Sequence, residues 1–262
     1  MVDLDAYFSR IAYDGPVAPT EACLAALHEA HLAAIPFENL DVVRGIEIKL
    51  DLPSLEAKLV AARRGGYCFE QNSLFKAVLD RIGFATQILL ARVRLDGDQI
   101  APRAHMLLKV EWANGVAIAD VGFGANGLLR PIPLLPDLVH HVPGAAYRLR
   151  HEGGEWVLEG DVGADDFSDY YAFPLTPNHP IDVEVANHFC ATHPTSPFLR
   201  TVTVQSVRAE RRLALRGYRL TEQRGGTVTE RDLAGEAERL DLLEREFGLV
   251  FPAGTRFDPP EP

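Results

Sequence analysis

The chain has 262 residues, near the upper limit for one hydrophobic core, with 47% hydrophobic and 24% charged residues. Its formal charge of −11 supplies none of the basic surface that nucleic-acid binding requires. No apolar run approaches the roughly 18–20 residues that span a bilayer, and the acidic start Met1-Val2-Asp3-Leu4-Asp5 lacks the features of a signal peptide. Cys23, Cys68 and Cys190 are odd in number and widely spaced, so they form neither a disulfide framework nor a metal pattern. A reduced, cytoplasmic enzyme or binding protein is expected, without metal, membrane or nucleic acid; the sequence specifies no oligomeric state.

The first third reads as helical. Thr20 is placed to cap a helix through Leu24, Leu27, His31 and Leu32, and Ser54 to cap a second through Leu55, Leu59 and Val60. A third is predicted over 68–82, with Phe75, Val78, Leu79 and Ile82 on one face and Gly83 as its stop. From Phe84 the period shortens. Strands are predicted over 87–95, 106–112 and 116–121, with Asn114-Gly115 as the turn between the last two. Another hairpin joins Tyr147–Leu149 to Trp156–Leu158 across Gly153-Gly154. After Pro174, Pro177 and Pro180, Asp182 is placed to cap a short helix through Val185 and Phe189. Four strands follow near 201–207, 211–215, 218–223 and 227–231, then a helix with Leu240, Leu243 and Phe247, and a frayed Pro-rich tail. The order suggests an α+β chain in three parts: 1–83 helical, 84–180 a small antiparallel sheet or barrel, and 181–262 mixed.

The sharpest local feature is Arg63-Arg64-Gly65-Gly66-Tyr67-Cys68-Phe69-Glu70-Gln71-Asn72. Two glycines let the backbone turn tightly, and a helix begins directly after them. Cys68 falls in the first turn, where unpaired N–H groups and the positive end of the macrodipole favour a thiolate. The competing reading is a small buried core cysteine, the commoner fate of that residue. A cysteine nucleophile needs an imidazole, and the imidazole an orienting acceptor. His105 opens one predicted strand and Asp120 closes the next.

If Asn114-Gly115 is a strict two-residue turn, Lys109 faces Asp120. His105 and Asp120 then share a face but lie roughly 13 Å apart. A wider loop, with Val110 opposite Gly115, sets them directly opposite. The expectation is therefore conditional: a working triad requires a turn wider than Asn-Gly. Singly, His105 could be a strand-end histidine and Asp120 a turn aspartate. Together with Cys68 they form a constellation that chance produces much less readily.

The other histidines carry less. His31 belongs on a packed helix face, His140-His141 in a loop, and His179, His188 and His193 among prolines without ligand partners at metal spacing. Cys23 and Cys190 read as structural. Val121-Gly122-Phe123-Gly124-Ala125-Asn126-Gly127 is neither a dinucleotide-binding nor a P-loop motif, but glycines beside the candidate triad would let a ligand approach the backbone.

At this point a family resemblance is visible. Arg64-Gly65-Gly66-Tyr67-Cys68-Phe69-Glu70-Gln71-Asn72 resembles the nucleophile motif of the arylamine N-acetyltransferases. His31-Leu32 with Ile35-Pro36-Phe37-Glu38-Asn39-Leu40, then His105-Met106-Leu107, Asp120-Val121-Gly122-Phe123-Gly124 and Thr192-His193-Pro194-Thr195-Ser196-Pro197-Phe198, resemble further segments in the family's order. The resemblance implies a helical bundle, an antiparallel β-barrel and an α/β lid on a cysteine-protease-like core. It implies a Cys68–His105–Asp120 triad and ping-pong transfer from acetyl-CoA to an arylamine or arylhydrazine. By the same carry-over, Phe37, Phe123 and Ala104 line the amine pocket and Gly124 lies near CoA. Arg63, Arg64, Arg92 and Arg103 are candidates for the CoA phosphates by charge alone. Three other readings stay open: a papain- or transglutaminase-like hydrolase, a biosynthetic amide synthase of the same family, and a binding protein with an inert Cys68.

Overall fold

The computed structural model describes residues 1–95, 100–162, 166–208 and 210–257; the predicted frayed tail lies mostly outside them. The helical part holds α1 (Leu4–Ile11), α2 (Glu21–Ala34), the two-residue strand β1 (Phe37–Glu38), α3 (Leu40–Val43), α4 (Leu52–Leu55) and α5 (Cys68–Ile82). Thr20 caps α2 as expected, accepting from Cys23 N. Ser54 does not cap α4. Asp51 does, accepting from Ser54 N, because Pro53 fits within a helix's first turn and the start moves ahead of it. α4 runs on into a π-helical stretch, Glu56–Ala61.

Eight strands follow: β2 (Ala85–Val93), β3 (Arg103–Trp112), β4 (Gly115–Ala119), β5 (Ile132–Pro133), β6 (His140–Val142), β7 (Ala145–Glu152), β8 (Glu155–Asp161) and β9 (Ser168–Phe173). They form one antiparallel sheet in the order β5-β4-β3-β2-β9-β8-β7-β6. The segment after β5 meets β7, with Asp137 N donating to Leu149 O at 2.7 Å, so the sheet curls into a nearly closed barrel. His140 and His141 lie in β6 rather than in a loop. β9 is not among the strands expected from the sequence, although Pro174 marks its end.

The remaining elements are α6 (Pro180–Thr192), α7 (Pro197–Arg200), β10 (Thr203–Arg208), β11 (Arg211–Arg216), β12 (Arg219–Arg224), β13 (Thr227–Asp232) and α8 (Glu236–Phe247). Asp182 is not the N-cap of α6. It stands at the third helical position and its carboxylate accepts from His179 N at 2.7 Å, while Pro180 opens the helix. The four strands pair in succession, and β1 adds to their edge through Phe37 opposite Gln205. The C-terminal sheet thus borrows a strand from the helical part.

β2 and β3 read as continuous apolar runs because both faces are buried. Leu89, Ala91, Leu107 and Ile118 point into the barrel with Tyr147, Leu149, Leu158 and Tyr171. Ile88, Leu90, Met106, Leu108 and Val110 point the other way, onto Leu24, Leu27, Phe75 and Val78 of α2 and α5. A separate cluster seats Leu242, Leu243 and Phe247 of α8 on Val204, Leu213 and Leu215.

The β3–β4 hairpin differs from both expected registers. Trp112 pairs with Gly115 and Leu108 with Ala119, so the turn is Ala113-Asn114 and remains tight. Asn114 and Gly115 are both absent from the left-handed region. Gly115 is needed for another reason: a Cβ there would strike the indole of Trp112. In this register Asp120 falls just past the strand, offset by two from His105, so the diagonal cross-strand reach replaces direct opposition. Gly115→Val should therefore destabilise the protein by about 1 kcal/mol or more through crowding of Trp112. Asn114→Ala should change stability by less than about 0.5 kcal/mol. Urea unfolding of the two variants checks the register, and the reverse order of effects would contradict it.

Candidate active site

Cys68 is the first residue of α5 and only 3% exposed. The two preceding glycines serve close approach rather than unusual dihedrals, since neither has positive φ. A Cβ on Gly65 would collide with Pro36 O, and one on Gly66 would lie 2.7 Å from the Glu70 carboxylate. That carboxylate accepts from Tyr67 N at 3.1 Å and pairs with Lys58 at 2.7 Å. Burial lifts the Glu70 carboxyl to about 7 despite Lys58.

A relay of neutral groups holds the same loop from behind. Tyr7 Oη donates to His31 Nδ1 at 2.8 Å, His31 Nε2 donates to Gln71 Oε1 at 3.2 Å, and Gln71 Nε2 donates to Gly66 O at 2.8 Å. Burial, against the Gln71 hydrogen bond, pulls His31 down to about 3, so it stays uncharged and its part is structural.

β3 carries a bulge beside Cys68. Ala91 pairs with His105 and Arg92 with Arg103, which leaves Ala104 unpaired and turns its carbonyl towards the helix. Cys68 Sγ lies 3.9 Å from Ala104 O, and Cys190 Sγ of α6 lies 3.7 Å from the same oxygen. His105 Nε2 donates to Asp120 Oδ2 at 2.7 Å. The thiol is also within hydrogen-bonding and electrostatic reach of the imidazole, although its aligned acceptor here is the Ala104 carbonyl. Cys68, His105 and Asp120 are thus brought together.

Burial would lower His105, but the Asp120 carboxylate overrides it and raises the imidazole to about 10. Burial likewise opposes ionisation of Asp120, and His105 together with Asn72 and Gly122 N keeps it below the ordinary carboxylate range. For Cys68, burial pushes the thiol up while His105 draws it down, and burial prevails in this closed site.

Several partners were invisible in the sequence. Asn72, one helical turn after Cys68, donates to Asp120 Oδ1 at 3.0 Å and to Met106 O at 2.7 Å, and accepts from Val121 N at 3.1 Å. His28 Nε2 accepts from Asp120 N at 3.2 Å, so its proton sits on Nδ1 and goes to Leu129 O at 3.2 Å. Burial holds His28 near 4, against the pull of Asp120. The spacing of Asn72 from Cys68 was the one available signal, since i and i+4 share a helix face.

The remaining named residues lie around this centre. Phe123 meets the His105 ring edge-on at 5.1 Å and stacks with Tyr170 at 5.7 Å. Phe37 packs 6.0 Å from Phe198. Gly124 has φ +88°, and a Cβ there would overlap the Gln205 amide, whose oxygen accepts from Ala125 N at 2.7 Å. Arg64 is committed to Glu38 and Asp41, at 2.6 and 3.0 Å. Arg103 pairs with Glu155 at 2.8 Å.

A helical part that sets a cysteine at a helix start against an antiparallel β-barrel is the cysteine-protease-like architecture. The sequence pattern of the N-acetyltransferase family matches residues 22–255. The arylamine N-acetyltransferase of Escherichia coli K12 is 40% identical, covering 94% of this chain and 88% of that protein. That of Mycolicibacterium smegmatis is 37% identical over 95% of this chain and 92% of its own length. Among solved structures, the Mycobacterium tuberculosis enzyme superposes with TM-score 0.91 at 36% identity, covering 94% of each chain. The Mycobacterium marinum enzyme in complex with CoA gives TM-score 0.90 at 34% identity, covering 94% of this chain and 93% of that one. The chain belongs to the arylamine N-acetyltransferase family and is an acyltransferase.

Because His105 is what lowers the Cys68 thiol, removing it must raise the thiol further. The pH profile of iodoacetamide labelling at Cys68, read by peptide mass spectrometry, should shift to higher pH in His105→Gln. An unchanged profile would mean that the imidazole does not sense the sulfur.

Proposed function

We propose that the chain moves an acetyl group from acetyl-CoA to an arylamine or arylhydrazine by ping-pong transfer through an acetyl-Cys68 intermediate. The observation that carries this reading is the buried His105–Asp120 pair at 2.7 Å beside a cysteine at the first position of α5. Family membership and the CoA complex of the Mycobacterium marinum relative support the donor.

In the first half-reaction His105 Nδ1 takes the proton of the Cys68 thiol as the sulfur attacks the thioester carbonyl. The electron pair moves to the carbonyl oxygen, and backbone N–H groups beside Cys68 hold that oxyanion. The C–S bond to CoA then breaks, and protonated His105 gives its proton to the departing thiolate. In the second, the amine nitrogen attacks acetyl-Cys68, neutral His105 takes its proton, and Cys68 leaves as thiolate. Asp120 keeps its charge throughout and fixes the ring through Nε2, leaving Nδ1 to serve the sulfur.

Phe37, Phe123 and Ala104 are assigned to the amine pocket. Phe123 suits the role through its edge contact with His105, and Ala104 through its bulged position by Cys68. Gly124 is assigned to the approach of CoA by family membership, and its lack of a side chain makes room for the Gln205 amide beside it. The near-complete burial of Cys68 and His105 favours transfer over hydrolysis, because the acyl-enzyme must survive until the amine arrives. Three free, buried cysteines fit a reducing, cytoplasmic setting.

Initial rates against both substrates test the sequence of steps. Parallel double-reciprocal lines are expected, with Asp120→Asn lowering kcat by roughly two to four orders of magnitude while the fold persists. Intersecting lines, or a wild-type rate in Asp120→Asn, would contradict the scheme; amide cleavage without CoA would favour a hydrolase.

A further inference from the structure

Away from Cys68, a cavity of about 380 Å³ opens between α1, α2, β10 and α8, within the roughly 300–1,000 Å³ typical of ligand pockets. Its lining includes Arg10, Arg63, Arg208 and Arg245. In a chain of net charge −11, four guanidinium groups around one cavity need an explanation. Two have one. Arg10 and Arg245 stand in the last turns of α1 and α8, where the macrodipole favours a cation, and Arg245 also meets Asp241 at 3.3 Å.

Arg63 and Arg208 come from a loop and a strand, and among the described residues neither meets a carboxylate within 4.0 Å. Glu246, the one acid in the lining, is committed to Arg211 at 2.7 Å. Arg10 is 7% exposed and, among the described residues, donates to the carbonyls of Leu59, Arg63 and Arg64. Burial and then the like charge of Arg63 pull it down to about 10. Arg63 itself is held at φ +53°, a region that non-glycine residues seldom occupy. Arg63 thus stands close enough to Arg10 to oppose its charge, with no carboxylate beside either among the described residues, and an anion in the cavity would relieve that repulsion.

We propose that this cavity binds a small, multiply charged phosphate, such as pyrophosphate or a phosphate ester, through Arg63 and Arg208, with Arg10 behind them. Guanidinium forks match phosphate oxygens two at a time, which favours this class over a single carboxylate. The site is separate from the catalytic centre but backs onto it. Pro36 lines the cavity, and its carbonyl accepts from Gly66 N and Gln71 Nε2, both at 3.4 Å, in the loop that seats Cys68.

Calorimetric titration of the full chain at low ionic strength, with inorganic phosphate and with pyrophosphate, tests this. One site is expected, tighter for pyrophosphate, weakened by roughly tenfold or more in Arg63→Gln/Arg208→Gln. Both residues are exposed, so that variant should keep the wild-type melting temperature, and Arg92→Gln/Arg103→Gln should bind as wild type does. The proposal is overturned by absence of heat at millimolar probe, by undiminished binding in Arg63→Gln/Arg208→Gln, or by displacement of the probe by CoA, which would place the anion in the CoA site.

Discussion

The carboxylate of Asp120 is 1% exposed, and the arrangement around Cys68 depends on its being satisfied there. An ionised carboxylate in such a place, without donors, would take up a proton or force the structure open. Three donors reach it, each from a different part of the chain: His105 of β3, Asn72 of α5 and the Gly122 amide just past β4. Its own amide is taken by His28 of α2. One buried charge therefore fixes the barrel, α5 and α2 in a single geometry. Losing one partner of such a group typically costs about 3–5 kcal/mol, so the arrangement is rigid by necessity.

That constraint explains why glycines crowd this region. Gly122 lies so close to α5 that an added Cβ would sit 2.6 Å from Cys68 Cα. Gly65 likewise brings the preceding loop against the Pro36 carbonyl, while Gly66 leaves room for the Glu70 side chain. These residues let backbone approach backbone, which sets the distance between sulfur and imidazole more tightly than side-chain packing alone could. The loop after Gly122 is then tied outward: Gln205 accepts from Ala125 N, and Arg212 donates to Ala125 O and to Tyr147 Oη. The C-terminal sheet thereby bears on the loop that carries Phe123 and Gly124.

What the sequence disclosed follows from which interactions are local. The start of α5, the cap of α2 and the parity that puts His105 and Asp120 on one face are set by neighbours within a few residues, and all could be read. The hairpin register could not, because it turns on Trp112 needing a side-chain-free residue opposite it. The tight turn then survives, and the triad contact comes from a two-residue diagonal instead of a wider loop. Asp51 replaces Ser54 as the cap because Pro53 fits the first turn and moves the helix start ahead of it. Helical spacing sets Asn72 beside Cys68, but its bond to Asp120, 48 residues on, and that of His28, 92 residues away, follow no spacing rule. The addition of β1 to a sheet built by β10–β13 was hidden for the same reason.

The central claim is that Cys68 itself carries the acetyl group. Intact-mass spectrometry after rapid mixing with acetyl-CoA, in the absence of amine, tests it most directly. One added acetyl group is predicted, located on Cys68, absent from Cys68→Ala and discharged when an arylamine is supplied. A protein that stays unmodified while turning over, or a Cys68→Ala variant that still transfers acetyl, would contradict the account.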